Sequence, residues 1–341
     1  MKIKDFIDYE QPNKYIVESE RYSSEYDIPV LTAGQSFILG YTNESIGVYE
    51  KYPCIIFDDF TTSVHYVDFS FKVKSSAMKI LKNKENADLK YCYYLLLNMS
   101  KMPPNHKRQW ISTTSEKEHK LPSINDQRKI TNVLDKISNI INFYNLELKK
   151  LDELIKARFV EMFGDIHNSK LYPYANIDSI TTVLSGGTPD RKVKEYWDNG
   201  TIRWVKTTEL QNCVITDTEE RITQAGMDNS SAKIVPIGSI LIAMYGQGKT
   251  RGMTGYLAVE CTTNQACACI LPTKKINQIF LWKYLILSYD KLRNMAKGGN
   301  QPNLNIGIIK KFPILVPPIE LQEQFADFVR QVDKSKFINK G

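Results

Sequence analysis

The chain has 341 residues, with 45 Lys and Arg against 38 Asp and Glu, for a formal charge of +7. That length is more than one ordinary hydrophobic core and calls for two domains. No run approaches the ~20 apolar residues of a membrane span. Met1-Lys2-Ile3-Lys4-Asp5 lacks the apolar run of a signal peptide, and the six scattered cysteines suit reduced core thiols better than a disulfide framework, so a cytoplasmic protein is expected.

In chain order, residues 29–34, 53–59 and 66–73 read as strands, and Tyr91 to Leu97 as a short apolar helix. Pro122 and a capping Asn125 or Asp126 then open a helix. From Gln127 to Phe163 there is neither Gly nor Pro. Ile130, Val133, Ile137, Ile140, Tyr144, Leu148, Leu151, Ile155 and Phe159 recur in steps of three and four, which predicts one helix with a single apolar seam, stopped at Gly164. Beyond it, residues 202–205, 238–245 and 266–271 read as strands, 280–287 as a helix, and Ile319 to Phe337 as a last, shorter amphipathic helix.

The chain repeats itself. Leu121-Pro122-Ser123-Ile124-Asn125-Asp126-Gln127 and Val316-Pro317-Pro318-Ile319-Glu320-Leu321-Gln322 lie 195 positions apart, and the register continues through Ile130/Phe325, Val133/Phe328, Leu134/Val329 and Ile137/Val332. The strand-like segments of the two halves follow in the same order, so the duplication covers the domains as well as the helices. Charge is uneven: residues 1–120 hold 16 basic and 16 acidic side chains, whereas 164–314 hold 18 and 12. Such an excess suits either a polyanionic partner or an ordinary, mildly basic domain.

Ala157-Arg158-Phe159-Val160-Glu161-Met162-Phe163-Gly164-Asp165, closing a long helix, resembles the junction found in specificity subunits of type I restriction-modification systems. So do Pro317-Pro318-Ile319-Glu320-Leu321-Gln322-Glu323-Gln324, Ser185-Gly186-Gly187-Thr188-Pro189 and Asn300-Gln301-Pro302-Asn303-Leu304. The resemblance spans the chain and implies an α+β fold: two similar mixed α/β target recognition domains separated by long helices forming an antiparallel coiled coil. The domains would be residues 1–120 and 164–314, and the helices 121–163 and 315–341, the second being short for the family. It further implies a non-catalytic subunit that reads a bipartite target in double-stranded DNA and docks methyltransferase (modification) and restriction subunits. S-adenosylmethionine, ATP and Mg are then expected on those partners, with no cofactor on this chain.

DNA binding needs cations and amides for phosphates, and forked donors and acceptors for base edges. In the first domain the candidates are Thr32, Gln35, Thr61, Thr62, Lys72, Lys74, His106, Lys107, Arg108 and Gln109. The second offers Arg191, Lys192, Lys194, Arg203, Lys206, Thr207, Thr208, Gln247, Lys249, Thr250, Arg251, Lys297, Asn300, Gln301 and Asn303. Asp58 and Asp59 end an apolar strand, where a turn with solvated or capping carboxylates is expected; an acidic pair there could also accept from cytosine amino groups.

An enzymatic alternative rests on residues 243–250, Ala243-Met244-Tyr245-Gly246-Gln247-Gly248-Lys249-Thr250, which resembles a P-loop of a nucleotide-hydrolysing enzyme. The first glycine is replaced by Ala243, and Gly252 and Gly255 argue for a loop or hairpin in place of the required helix. Cys261, Cys267 and Cys269 lack zinc-site spacing. The chain has no Gly-x-Ser-x-Gly or His-Glu-x-x-His, no S-adenosylmethionine loop and no Asn/Asp-Pro-Pro-Tyr/Phe signature, so methyl transfer is assigned to a partner. The shorter last helix leaves half of the long seam bare. Leu148, Leu151, Leu154 and Ile155 are therefore expected to pack on another protomer (self-association) or on the modification subunit.

Overall fold

A computed structural model describes residues 1–33, 36–101, 103, 107–246, 248–296 and 303–338, leaving aside the side chains of 337 and 338. The chain forms two compact units, Met1–Phe143 and Tyr144–Gly341.

Unit 1 contains β1 (Ile7–Glu10), β2 (Ile28–Leu31), β3 (Ile38–Thr42), β4 (Cys54–Asp58), β5 (Val64–Val67), β6 (Lys72–Val73), β7 (Met78–Asn83) and α1 (Leu89–Met99). The sequence pattern predicts one strand over 66–73; β5 and β6 instead belong to different sheets, in the orders β1-β7-β4-β5 and β3-β2-β6. Strand β4 is buried along its whole length because β5 and β7 flank it and its alternate side chains enter two cores, Ile55 and Phe57 on one face and Cys54 and Ile56 on the other. One face of this sheet packs on α1 through Ile55, Phe57, Leu81, Cys92, Leu96 and Trp110. Helix α2 (Ile124–Phe163) starts in this unit and runs for 40 residues, about 60 Å at 1.5 Å per residue.

Unit 2 takes in the rest of α2. It contains β8 (Tyr174–Asn176), α3 (Ile177–Ile180), β9 (Val183–Ser185), β10 (Ile202–Val205), β11 (Cys213–Ile215), β12 (Glu220–Ile222), α4 (Gln224–Asp228), β13 (Ile240–Ala243), β14 (Thr254–Leu257), β15 (Thr262–Thr263) and β16 (Cys267–Ile270). Then follow α5 (Gln278–Leu287), α6 (Tyr289–Asn294), α7 (Ile306–Lys310), β17 (Pro313–Leu315) and α8 (Ile319–Ile338). Its sheets have the orders β11-β14-β13-β16-β9, β12-β10-β15 and β17-β8.

The pairing repeats strand for strand. In unit 1, β2 runs antiparallel to β3 and parallel to β6; in unit 2, β10 runs antiparallel to β12 and parallel to β15. The hairpin β4–β5 with β7 corresponds to β13–β14 with β16, and β1 to β9. To this larger sheet unit 2 adds β11, parallel to β14.

One buried glutamine per unit ties the following long helix to the domain. Gln127 Oε1 accepts from the Asp88 amide at 2.8 Å and its Nε2 donates to the Pro122 carbonyl at 2.8 Å. Gln322, 195 positions later, accepts from the Asn277 amide at 2.8 Å and donates to the Pro317 carbonyl at 2.7 Å. Asp88 and Asn277 are the N-caps of α1 and α5. Each glutamine thus locks the first turn of a long helix to the first turn of a domain helix, α2 to α1 in unit 1 and α8 to α5 in unit 2.

Within unit 2, α8 runs antiparallel to the end of α2. Phe325 lies 5.5 Å from Phe159 and 5.7 Å from Phe163 between ring centroids, while Lys336, three turns on, pairs with Asp152 at 2.6 Å. Phe280 of α5 completes the aromatic cluster, 5.8 Å from Phe159 and 5.2 Å from Phe163. Gly164 then ends α2 with φ +78°, a left-handed conformation that a Cβ disfavours.

Candidate nucleic-acid interface

In unit 1 the turn between β4 and β5 is held from inside. Asp58 accepts from the Phe60 amide at 2.9 Å and from the Thr61 hydroxyl. Asp59 is fully buried and pairs with buried Lys79 at 2.8 Å, and it accepts from the amides of Gln109 (3.1 Å) and Trp110 (2.8 Å). Asp58 is thus the capping carboxylate expected of a turn, whereas Asp59 is neither solvated nor a cap but half of a buried ion pair, and neither is open to a cytosine amino group. The Asp59 carbonyl also accepts from the Gln109 amide at 2.8 Å, which brings exposed Lys107 and Arg108 close in the chain to this turn.

Unit 2 repeats the arrangement with a longer loop. The Met244 carbonyl, at the end of β13, accepts from the Leu304 amide at 3.0 Å, as Asp59 does from Gln109, and so draws Asn303 towards the loop. Lys249 is exposed and Thr250 half-buried, and the chain returns through Gly252 (φ +87°) directly into β14. A strand and not a helix follows Lys249-Thr250, so the P-loop reading fails: a phosphate cradle needs the amides of a helix start, and here the strand pair β13–β14 closes a hairpin. Three of the loop carbonyls are bound from α6. Arg293 donates to Arg251 O (2.6 Å) and Gly248 O (2.8 Å), and the Tyr289 hydroxyl to Lys249 O (2.6 Å).

The remaining expected contacts divide by partner. Lys72 is only 3% exposed and pairs with Glu44 at 2.8 Å, donating also to Ile46 O at 2.6 Å. A buried ammonium tied in this way is a structural group and not a phosphate contact, so that expectation is corrected. Thr62 (8% exposed) has its hydroxyl on Lys101 O at 3.0 Å, and Gln109 (8%) donates its side-chain amide to Lys107 O at 2.8 Å; both are withdrawn from DNA by the turn they build. Lys74 pairs with Glu20 at 3.0 Å, and Thr32, just after β2, is half-buried.

The small sheet of unit 2 is similarly neutralised. Arg191 pairs with Glu220 and stacks its guanidinium 3.7 Å from the Trp197 ring and 4.7 Å from Trp204. Lys206 bridges Glu219 (2.7 Å) and Glu220 (3.1 Å), and Arg203 pairs with Asp217 at 3.0 Å. Those hydrogen bonds hold the Lys206 ammonium above its ordinary pKa. For Glu220, burial opposes ionisation, but Arg191 and Lys206 outweigh it and hold the carboxyl below its ordinary value. Gly186 and Gly187 lie under this sheet, where a Cβ would come within 2.1 Å of Thr263 O or 2.3 Å of the Ala232 amide. Lys192 and Lys194 form no ion pair among the described residues, and Thr207 stays half-buried. Gln35, His106, Gln247, Lys297, Asn300 and Gln301 lie outside the described residues.

The seam of α2 is covered at the opposite end from that expected. Ile155 is 3% exposed within the core of unit 2, and Leu151 packs against the same core. Leu148 is half-buried, and of the four expected positions Leu154 alone is exposed. The reason is register: α8 pairs with α2 from Phe163 backwards, so the bare stretch is its first half, where Ile130, Val133, Ile137, Ile140, Ile141 and Tyr144 are all exposed. On the other face of that half, polar Asp135 takes Lys90 at 2.6 Å and the Tyr94 hydroxyl at 2.8 Å.

Among the described residues no group of three or more His, Cys, Asp or Glu is arranged to hold a metal ion, and no helix is long and apolar enough to cross a membrane. The cysteines are free, and burial pushes the thiols of Cys54, Cys92, Cys261 and Cys267 up to about 12. Sequence reasoning missed Arg293 and Tyr289, whose partners are backbone carbonyls without a sequence signal. It also missed the roles of Gln127 and Gln322, which the 195-residue repeat could have marked.

Comparison with known proteins bears on these two units. The type I restriction modification DNA specificity domain matches residues 172–341. The specificity subunit of the type I restriction enzyme EcoR124I/EcoR124II of Escherichia coli is 32% identical over 345 residues, covering 95% of this chain and 84% of that protein. The chain belongs to the specificity subunits of type I restriction enzymes. Another specificity subunit, that of the MjaIX enzyme of Methanocaldococcus jannaschii, is 28% identical over 192 residues, 53% of this chain and 43% of that one. The crystal structure of a type I restriction-modification S subunit from M. genitalium shares the fold, with a TM-score of 0.61 at 16% identity over 100% of this chain and 90% of that one. In this specificity subunit Lys107, Arg108 and Lys249 stay exposed on or beside the hairpin turns, while Lys72, Arg191 and Lys206 are each paired with a carboxylate.

Proposed function

We propose that this specificity subunit reads a split, asymmetric target in double-stranded DNA, each unit contacting one half through its hairpin and the cationic segment beside it. The single observation that carries the reading is the repetition of that arrangement: Asp59–Ser63 with Lys107 and Arg108 in unit 1, and residues 244–253 with Asn303 in unit 2. Catalysis lies elsewhere in this reading. Methyl transfer with S-adenosylmethionine belongs to modification subunits, and ATP- and Mg-dependent cleavage to restriction subunits, all in the cytoplasm. The bare positions Ile130, Val133, Ile137 and Ile140 form the docking strip for the modification subunit, since so many exposed apolar side chains in one line are costly in water.

The test is to express the chain with its modification subunit in cells and map methylated bases across the genome. A single split sequence with two specified halves is the expected result. Methylation at unrelated sites, or binding by the purified complex that ignores sequence, would overturn the reading. Affinity should also fall steeply with salt, because phosphate neutralisation releases counterions.

A further inference from the structure

We propose that Arg293 and Tyr289 of α6 are the positioning residues of the DNA-contacting loop in unit 2, acting through Lys249 and Thr250 without touching DNA themselves. The inference rests on the reading of the chain as a DNA-reading subunit and names what shapes one of its contacts.

A loop that meets a phosphodiester must deal with its own carbonyl oxygens, whose partial negative charge repels the ligand. Here the carbonyls of Gly248, Lys249 and Arg251 are engaged by donors from a single short helix, at 2.8, 2.6 and 2.6 Å. Arg293 Nη1 also donates to the Tyr289 hydroxyl at 3.0 Å, so the two side chains form one hydrogen-bonded unit. A planar guanidinium suits this role because its rigid fork holds two carbonyls in a fixed relative geometry, whereas an ammonium on a flexible stem fixes their spacing less firmly.

The loop is built to receive that fork. Gly248 and Gly252 hold φ of +59° and +87°, conformations that side chains resist, and a Cβ on Gly252 would come within 3.1 Å of Arg293 Cγ. Within the loop the Met253 amide donates to Thr250 O at 2.9 Å, and the Gly252 amide to Ala243 O at 2.8 Å. With the backbone fixed from inside, exposed Lys249 has no carboxylate partner among the described residues, in contrast to Arg191, Arg203 and Lys206 on the small sheet. A cation that is not neutralised by its own protein is available to a phosphate, and a fixed backbone makes its position specific.

The test uses the complex of this chain with its modification subunits and the duplex found by methylation mapping, with substitutions introduced in each half in turn. Lys249→Ala should weaken binding to all sequences and reduce the slope of log affinity against log salt by about one. Arg293→Met should lower discrimination in one half of the target by about tenfold and leave the other half unchanged. Arg293→Lys should recover only part of that loss, and Tyr289→Phe should lose about threefold in the same half. A merely structural role would instead lower the melting temperature and reduce both halves together in proportion to the unfolded fraction. Unchanged half-site discrimination in Arg293→Met overturns the inference, and if that variant does not fold, Tyr289→Phe decides. Absence of discrimination by the unaltered complex in either half would instead sink the DNA-reading proposal itself.

Discussion

Unit 1 and unit 2 carry the same strand pairing on different chemistry. Where β4 and β7 of unit 1 bring Asp59 and Lys79 together as a buried ion pair, the matching positions of unit 2 are Met244 and Ala268, both buried in an apolar core. The turn of unit 1 spans a few residues, whereas that of unit 2 extends from Met244 to Met253 and needs clamping by α6. Helix α2 shows a similar contrast along its own length: polar packing and a bare apolar strip in its first half, a closed aromatic seam in its second. Backbone pairing and two glutamine locks preserve the fold, so the side chains between them are free to differ.

The largest expected effect contrasts the two halves of α2. Val329→Asp places a charge in the closed seam and should destabilise unit 2 by at least about 3 kcal/mol. Ile137→Asp, on the bare strip, should leave urea unfolding of the isolated chain unchanged while abolishing co-purification with the modification subunit. Equal loss of stability in the two variants would mean that the strip is already covered.

Next, Asp59→Ala should cost about 3–5 kcal/mol by leaving the Lys79 ammonium buried and unpaired. Urea unfolding followed by hydrogen exchange should assign that loss to unit 1. The glutamine locks sharpen the comparison in the other direction. Gln127→Ala and Gln322→Ala should each cost about 1–3 kcal/mol, because each strands a buried amide and a carbonyl. A large difference between them would show that the two locks are not equivalent.

The smallest effect concerns the ion pairs of the small sheet in unit 2. Glu220 titrates below its ordinary value of 4.5 in the folded chain, so its contribution is complete above pH 4.5 and is lost as pH falls through the folded value. Lys206 is shifted upward from 10.5 and loses its contribution only as pH rises through its higher folded value, so acid is the sensitive direction. Hydrogen exchange in β10 and β12 should report a loss of about 0.5–1 kcal/mol on acidification below pH 4.5, absent in Glu220→Gln.

The predicted seam from Gln127 to Phe163 lies within α2, and the strand expected at 202–205 matches β10. Both are written in local periodicity and β-branched runs, which act over a few residues. The run 66–73 reads as one strand because Val67, Phe69, Phe71 and Val73 alternate with Asp68, Ser70 and Lys72 without a break, whereas pairing partners decide which sheet each part joins. Among the candidate contacts, Lys107, Arg108 and Lys249 remain exposed, while Lys72, Arg191 and Lys206 are taken by carboxylates from elsewhere in the chain.

From its residues alone, this protein declares two repeated units, a helix of about forty residues and a family, since periodicity, caps and a 195-residue offset survive without coordinates. Which half of the long seam is closed, which cations are neutralised and why Asp59 is not a surface group were settled by tertiary contact. Those outcomes depend on partners dozens to hundreds of positions away, and electrostatics and burial respond to distance in space, not along the chain.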